Sequence, residues 1–308
     1  MFEFSLGPVA LCAPGPTNGT DEHEGLPTDL HEVIGTAGDQ FRDAFTRTCL
    51  YLALGAADAS GARADGATRT DDTVVIGTEY GNTAALTRLQ RHAAEKGKLL
   101  SAQYFPNATS SSASAFVNLR IGSTGRNMTV NAGVLTPVLA LWQALSALER
   151  GRSDVSRLLV GDVYGPEAVA DARLDAPDVP CRDGVVHAFL HSGADLTAEF
   201  AFGTADAPRP GLLRTVCKTA ARSTEAEGDG LGEGDGAARI AFAEHNSAFA
   251  TRAFLDLVHT LAPTERAVLA CHAPDGRHAA VTVTRRHADT ADTTDSADSA
   301  DSMDGGPR

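Results

Sequence analysis

Apolar positions along this chain follow two different periods. Short apolar runs without helical spacing, bounded by turn residues, predict buried strands at Val9–Pro14 (VALCAP), Thr73–Gly77 (TVVIG), Asn127–Val130 (NMTV), Arg157–Val163 (RLLVGDV) and Leu196–Phe202. Between them the spacing changes. Asp39–Leu54 (DQFRDAFTRTCLYLAL) sets Phe41, Phe45 and Leu52 near a 3.6-residue period, which predicts an amphipathic helix. Asn82–Lys96 and Leu135–Arg150 read as helices too, and so does Ser110–Leu119 despite its serines. Strands alternating with helices imply an α/β sheet with helices layered on its faces. Towards the end, Ser247–Leu261 predicts a helix and Glu265–Arg285 a hairpin, with Pro274-Asp275-Gly276 supplying the turn.

The same pattern divides the chain. Residues 1–210 carry the strand and helix alternation. Residues 211–238 read as a linker rich in Gly and acid, with too few apolar groups to pack, most plainly in ARSTEAEGDGLGEGDGA (221–237). Residues 239–286 form a short foldable segment, and 287–308 a low-complexity acidic tail expected to be disordered. The formal charge of −14 overstates the acidity of the folded part, because residues 288–308 hold six Asp and one Arg. Nucleic acid is excluded as a partner, since its binding needs a basic footprint. No apolar run is long enough for a membrane helix, and the prolines and missing basic residues at the start argue against a signal peptide. Five scattered cysteines without a CxxC point to reduced thiols in a cytoplasmic protein, with no disulfide framework, zinc site or other cofactor.

Five features in order fall between Tyr104 and Gly184. A Pro106-Asn107 loop precedes a small-residue helix, and Gly122–Asn127 (GSTGRN) makes a turn. A strand ends at Asn131 and turns sharply into a long helix. Arg150, Gly151 and Asp154 then lead to a strand ending at Gly161, and Arg182-Asp183-Gly184-Val185-Val186 opens a further strand. This succession resembles the N-terminal domain of the β-ketoacyl synthases, well over about 70–205 and loosely over 1–70. The resemblance implies a thiolase-like, layered α-β-α fold whose N-terminal half is largely present and whose C-terminal half is strongly reduced.

In that family a strand-to-helix elbow sets a cysteine at a helix N-terminus, where the helix dipole favours the thiolate. Two histidines from the C-terminal half stabilise the developing charge. The corresponding elbow is Thr129–Pro137, with Asn131, Gly133, Val134 and Thr136 as its pocket residues, and the nucleophile position falls on Val134. Valine cannot be acylated. The family's chain-length-factor relatives carry Gln there, so this chain departs from them as well. Neither an HGTGT nor an NSFGFGG pattern is present. The resemblance therefore implies a non-catalytic subunit of a fatty-acid or polyketide pathway. Its partner would be a second copy or a catalytic ketosynthase, with an acyl carrier protein as a further candidate; an alternative reading is a plain acyl or carrier-protein binding module. The expected interface comprises Ser110, Ser114, Phe116, Asn127, Met128 and Val130, with strand 127–130 antiparallel to its mate.

Other chemistry is sparser. Cys181 precedes His187 and His191, and a Cys–His pair could serve an acyltransferase or hydrolase with a re-invented site. The plain alternative is a loop thiol followed by strand histidines. Thr136 reads as a helix-start residue, with Pro137 suited to the same turn. Arg88, Arg91, Lys96 and Lys98 could meet an acidic carrier protein or simply form a solvated helix face.

Overall fold

The computed structural model describes residues 1–14, 25–59, 70–175, 177–204, 214–220, 239–263 and 265–286. Strand β2 (Thr73–Gly77) shows how the layers form, because every residue in it is buried. Val75 faces one core, together with Leu141, Leu145, Phe254 and Leu255. Val74 and Ile76 face the other, with Phe45, Leu50, Ala113 and Val117. Strand side chains alternate between faces, so one apolar run can supply two cores. Helices α5 (Thr136–Glu149) and α7 (Ser247–His259) cover the first face. Helices α2 (Ala44–Ala59) and α4 (Ser112–Arg120) cover the second. The expected α-β-α layering is present.

The remaining elements are α1 (Leu30–Ile34), α3 (Thr83–Lys96), α6 (Pro166–Asp175), and strands β1 (Phe2–Cys12), β3 (Asn127–Val130), β4 (Val155–Asp162), β5 (Gly184–Thr204), β6 (Arg214–Ala220), β7 (Arg239–Phe242), β8 (Glu265–His272) and β9 (Arg277–Arg285). The nine strands of the described residues share one sheet, ordered β3-β2-β4-β5-β9-β8-β6-β7, with β1 on β5. β2 runs parallel to β3 and β4, whereas β5 is antiparallel to β4, β1 and β9.

The 21-residue β5 joins the N-terminal and C-terminal strands. Its residues 184–191 pair with β4 and residues 196–204 with β9, while β1 runs along the opposite edge. Four residues, Ser192–Asp195, fall between the two registers, and β1 shifts register opposite them. Such a bulge bends a strand. α5 and α7 each touch β4 as well as β8 and β9.

Several boundaries differ from expectation. α2 begins at Ala44 because the Asp43 carboxylate accepts the Thr46 N–H at 2.8 Å, and Asp39–Phe41 forms a separate 3-10 turn. The segment expected as a linker starts within the sheet, since β6 spans Arg214–Ala220 and pairs with both β8 and β7. Its apolar residue Val216 is fully buried, a signal too short to stand out beside the glycine-rich stretch. The acidic stretch 221–238 and the tail 287–308 lie outside the described residues. Among the described residues no helix is long and apolar enough to cross a membrane. Among the described residues β3 is an edge strand.

Candidate functional site

The elbow is assembled from three loops at one end of the sheet. β3 ends at Val130. Asn131 then donates its side-chain amide to the Glu79 carbonyl at 2.9 Å, tying the elbow to the loop after β2. The Ala132 N–H donates to the Thr136 hydroxyl at 3.0 Å. Gly133 has φ +56°, a left-handed conformation that favours glycine, and Gly133–Leu135 makes a 3-10 turn into α5. Val134 lies half-buried in that turn, immediately before the helix. Gly77 lets the helix approach, because a Cβ there would stand 2.8 Å from Ala140 Cβ and 3.0 Å from Thr136 Cγ2. Thr136 is fully buried, and its hydroxyl closes the turn.

Beneath the elbow lies a charged cluster that the sequence did not single out. Asp162, fully buried at the end of β4, accepts the Thr78 hydroxyl at 2.5 Å and the backbone N–H groups of Glu79, Tyr80 and Gly81 at 3.1, 2.8 and 3.1 Å. This grip fixes the loop after β2 and aims Glu79 inward. Its carboxylate meets the fully buried Arg214 guanidinium from β6 and lies 3.5 Å from the Ser247 hydroxyl at the start of α7. Arg214 also donates to the carbonyls of Glu244 and His245 at 3.1 and 2.8 Å. Burial pushes the Glu79 carboxyl up to about 7, with Arg214 opposing the shift and Asp162 adding to it. Burial also raises Asp162, against its hydrogen bonds. Arg214 meets Glu79 alone of the two acids, and the nearby buried Asp162 opposes its ionisation, so the cluster favours holding a proton near neutrality.

Asn246 completes the assembly. Its side-chain amide donates to the carbonyls of Asp162, Arg182 and Gly184 at 2.8, 2.8 and 3.0 Å, while its oxygen caps α7 through the Ala248 N–H at 2.9 Å. The elbow, β2, β4, β6 and α7 are thereby joined by polar contacts. The signal for this cluster is weak in the sequence: single residues at element ends, separated by up to 168 positions.

Neither ring nitrogen of His187 has a hydrogen-bond partner, so no hydrogen bond joins it to Cys181. Cys181 lies in the segment before β5, and burial raises its thiol, with Arg173 opposing and Asp183 reinforcing the shift. His187 is buried within β5, where burial and then Arg157 push it down to about 3. Activation would require a lowered thiol beside a competent base.

The interface candidates separate into two groups. Asn127 and Ser110 are exposed, and Met128, Val130 and Phe116 are half-buried. Ser114 is fully buried within the chain, where its small side chain lets α4 pack on β3 and accepts the Thr129 hydroxyl at 3.2 Å. It presents no surface to a partner, which corrects the expectation for that residue. Among the described residues no strand occupies the outer edge of β3. Of the basic group, Arg88 donates to the Phe41 carbonyl at 3.0 Å and Arg91 pairs with Glu167 at 3.5 Å.

The strand order, the antiparallel β5 and the elbow into α5 define a thiolase-like α/β protein. Residues 31–163 match the family described as β-ketoacyl synthase, N-terminal domain. The match begins earlier than the motifs suggested and stops before Asp183-Gly184. No curated protein matches the chain in sequence. Among solved structures, the ishigamide ketosynthase/chain length factor is similar with a TM-score of 0.58 at 16% identity, over 85% of this chain and 86% of that one. A ketosynthase in complex with its chain length factor from Xenorhabdus doucetiae gives 0.56 at 11%, over 92% and 100%. A complex of a type II polyketide synthase acyl-carrier protein with its ketosynthase gives 0.56 at 13%, over 92% and 99%. Residues 31–163 are thus similar to a β-ketoacyl synthase N-terminal domain, and the fold is shared with these ketosynthase structures.

Proposed function

We propose that this chain is a non-catalytic ketosynthase-like subunit of a polyketide or fatty-acid pathway, acting in a chain-length-factor-like role beside a catalytic ketosynthase or a second copy of itself. The observation that carries the reading is the elbow, which keeps its turn, its close helix approach and its hydrogen bonds around a valine. Valine carries no nucleophilic atom, so the elbow at this position offers scaffold rather than chemistry. The outer edge of β3, which no strand among the described residues occupies and which carries half-buried Met128 and Val130, supports pairing, since an apolar edge strand is a template for another chain. The pairing of ketosynthase with chain length factor in similar structures supports the choice of partner. An acyl carrier protein would meet the assembled pair rather than this chain alone.

The test is co-expression with a ketosynthase of the same pathway. Co-purification in equal amounts, with condensing activity that requires the ketosynthase cysteine and not this chain's cysteines, is the expected result. Condensation by this chain alone, above a control without enzyme, would contradict the proposal.

A further inference from the structure

Helix α5 has one flank that the rest of the described chain does not close. It packs against β2 and β4 in the N-terminal part of the sheet and against β9 in the C-terminal part, with α7 alongside. α5 also reaches β3, whereas α7 packs on β1, β4 and β5. The flank of α5 turned away from α7 therefore lies towards the β3 edge. Leu139 and Trp142, three residues apart on one helical face, are both half-buried, in a helix whose other apolar residues are buried.

The same flank continues onto β5. β1 reaches no further than Phe2, opposite Ala198, so residues 199–204 pair with β9 on one edge and with no described strand on the other. Phe200 and Phe202 lie on that stretch, with ring centres 6.3 Å apart and planes 8° from parallel. Trp142 meets Phe202 edge to face at 6.3 Å, which joins helix to strand. Phe202 is nonetheless 52% exposed. Leu139, Phe200, Met128 and Val130 all border one buried core as partly covered side chains. None of these side chains is charged.

Aromatic residues concentrate at the buried centres of protein interfaces, and contiguous exposed apolar surface marks such sites. Copies of a chain with formal charge −14 repel one another, so they meet best across an uncharged surface. A two-fold contact sets the same surface of both copies together. We propose that the aromatic flank of α5 and β5, centred on Trp142 and Phe202, is buried by a second copy of this chain. The proposal rests on the pairing reading above and narrows it twice. The partner is an identical chain, and the contact extends from β3 over α5 to the end of β5.

Trp142 is the only tryptophan in the chain, so its emission reports the contact without a label. The experiment dilutes the purified full chain while light scattering follows mass and fluorescence follows Trp142. Emission should move to the red, and acrylamide quenching should rise, at the concentration where the dimer dissociates. Phe202→Glu should weaken self-association by about tenfold or more with unchanged far-ultraviolet circular dichroism. Dissociation without a change at Trp142 would confine the contact to β3 and overturn the extension. So would a Phe202→Glu chain that dimerises as tightly as the wild type while Val130→Arg does not; in both cases the pairing reading stands. A chain that is monomeric alone yet pairs with a ketosynthase would overturn the assignment to a second copy, again without touching that reading. A monomer under both conditions would overturn the two together.

Discussion

The Glu79 carboxylate meets the Arg214 guanidinium inside the protein, joining the loop after β2 to the start of β6 across 135 positions of sequence. Arg214 is fully buried. Breaking such a pair from one side leaves the other charge uncompensated. Glu79→Leu should therefore destabilise the protein by about 3–5 kcal/mol, and the double variant Glu79→Leu/Arg214→Met by markedly less. Urea unfolding of the single and double variants measures this directly. Equal losses in both would mean that the pair does not hold β6 to the N-terminal strands.

The same cluster sets a pH dependence. Glu79 titrates near 7 in the folded protein, above its ordinary value of 4.5. The folded state thus binds a proton that the unfolded state releases first. The resulting stability is fully present below about pH 4.5 and is lost as pH rises through about 7. Glu79→Gln removes this slope, so the variant should gain on the wild type in melting temperature between pH 5 and pH 7.5. A gain for the wild type over the same interval would show that Arg214 keeps Glu79 ionised throughout.

Two glycines report on how closely the layers approach. A Cβ on Gly161 would stand 2.1 Å from the Gly184 carbonyl oxygen, and its φ of +146° already disfavours any other residue. At Gly77 the added Cβ would press on Ala140 and Thr136 of the elbow helix. Gly77→Ala should cost roughly 1–3 kcal/mol, the range for overpacking a filled interior. Gly161→Ala should cost more, since backbone must move. Denaturant midpoints for the two variants check the order.

Much of this fold was legible because its strands and helices are local. TVVIG and NMTV appear as β2 and β3 with the expected boundaries, and the long apolar helix after the elbow is α5, starting one residue later than expected. What failed was set by distant contacts. The N-terminal strand reads as VALCAP in isolation, yet β1 runs from Phe2 to Cys12 because β5 extends along it. β6 is visible only once β8 is there to pair with it. The Glu79, Asp162, Arg214 and Ser247 cluster has no motif at all, since each residue ends or begins a different element. The elbow was readable as a turn, and Val134 falls in it, but the reading of Ser114 as surface ignored how tightly α4 packs on β3.

Cys181 offers a separate check on residual chemistry. Its thiol is raised rather than lowered, so it should be alkylated slowly at neutral pH compared with an activated thiol. Cys181→Ala should leave every thioester-dependent activity of the preparation unchanged. Selective acylation of this one cysteine by a thioester probe, lost in His187→Ala, would restore the acyltransferase reading.

The pairing of this chain through β3 is tested most directly by its mass in solution, measured by light scattering alone and after co-expression with a pathway ketosynthase. The account predicts a dimer, of two copies or of one copy with the ketosynthase. It also predicts that Val130→Arg, on the outer strand, converts that dimer to monomers with unchanged far-ultraviolet circular dichroism. A folded monomer under both conditions, indifferent to the arginine, would contradict it.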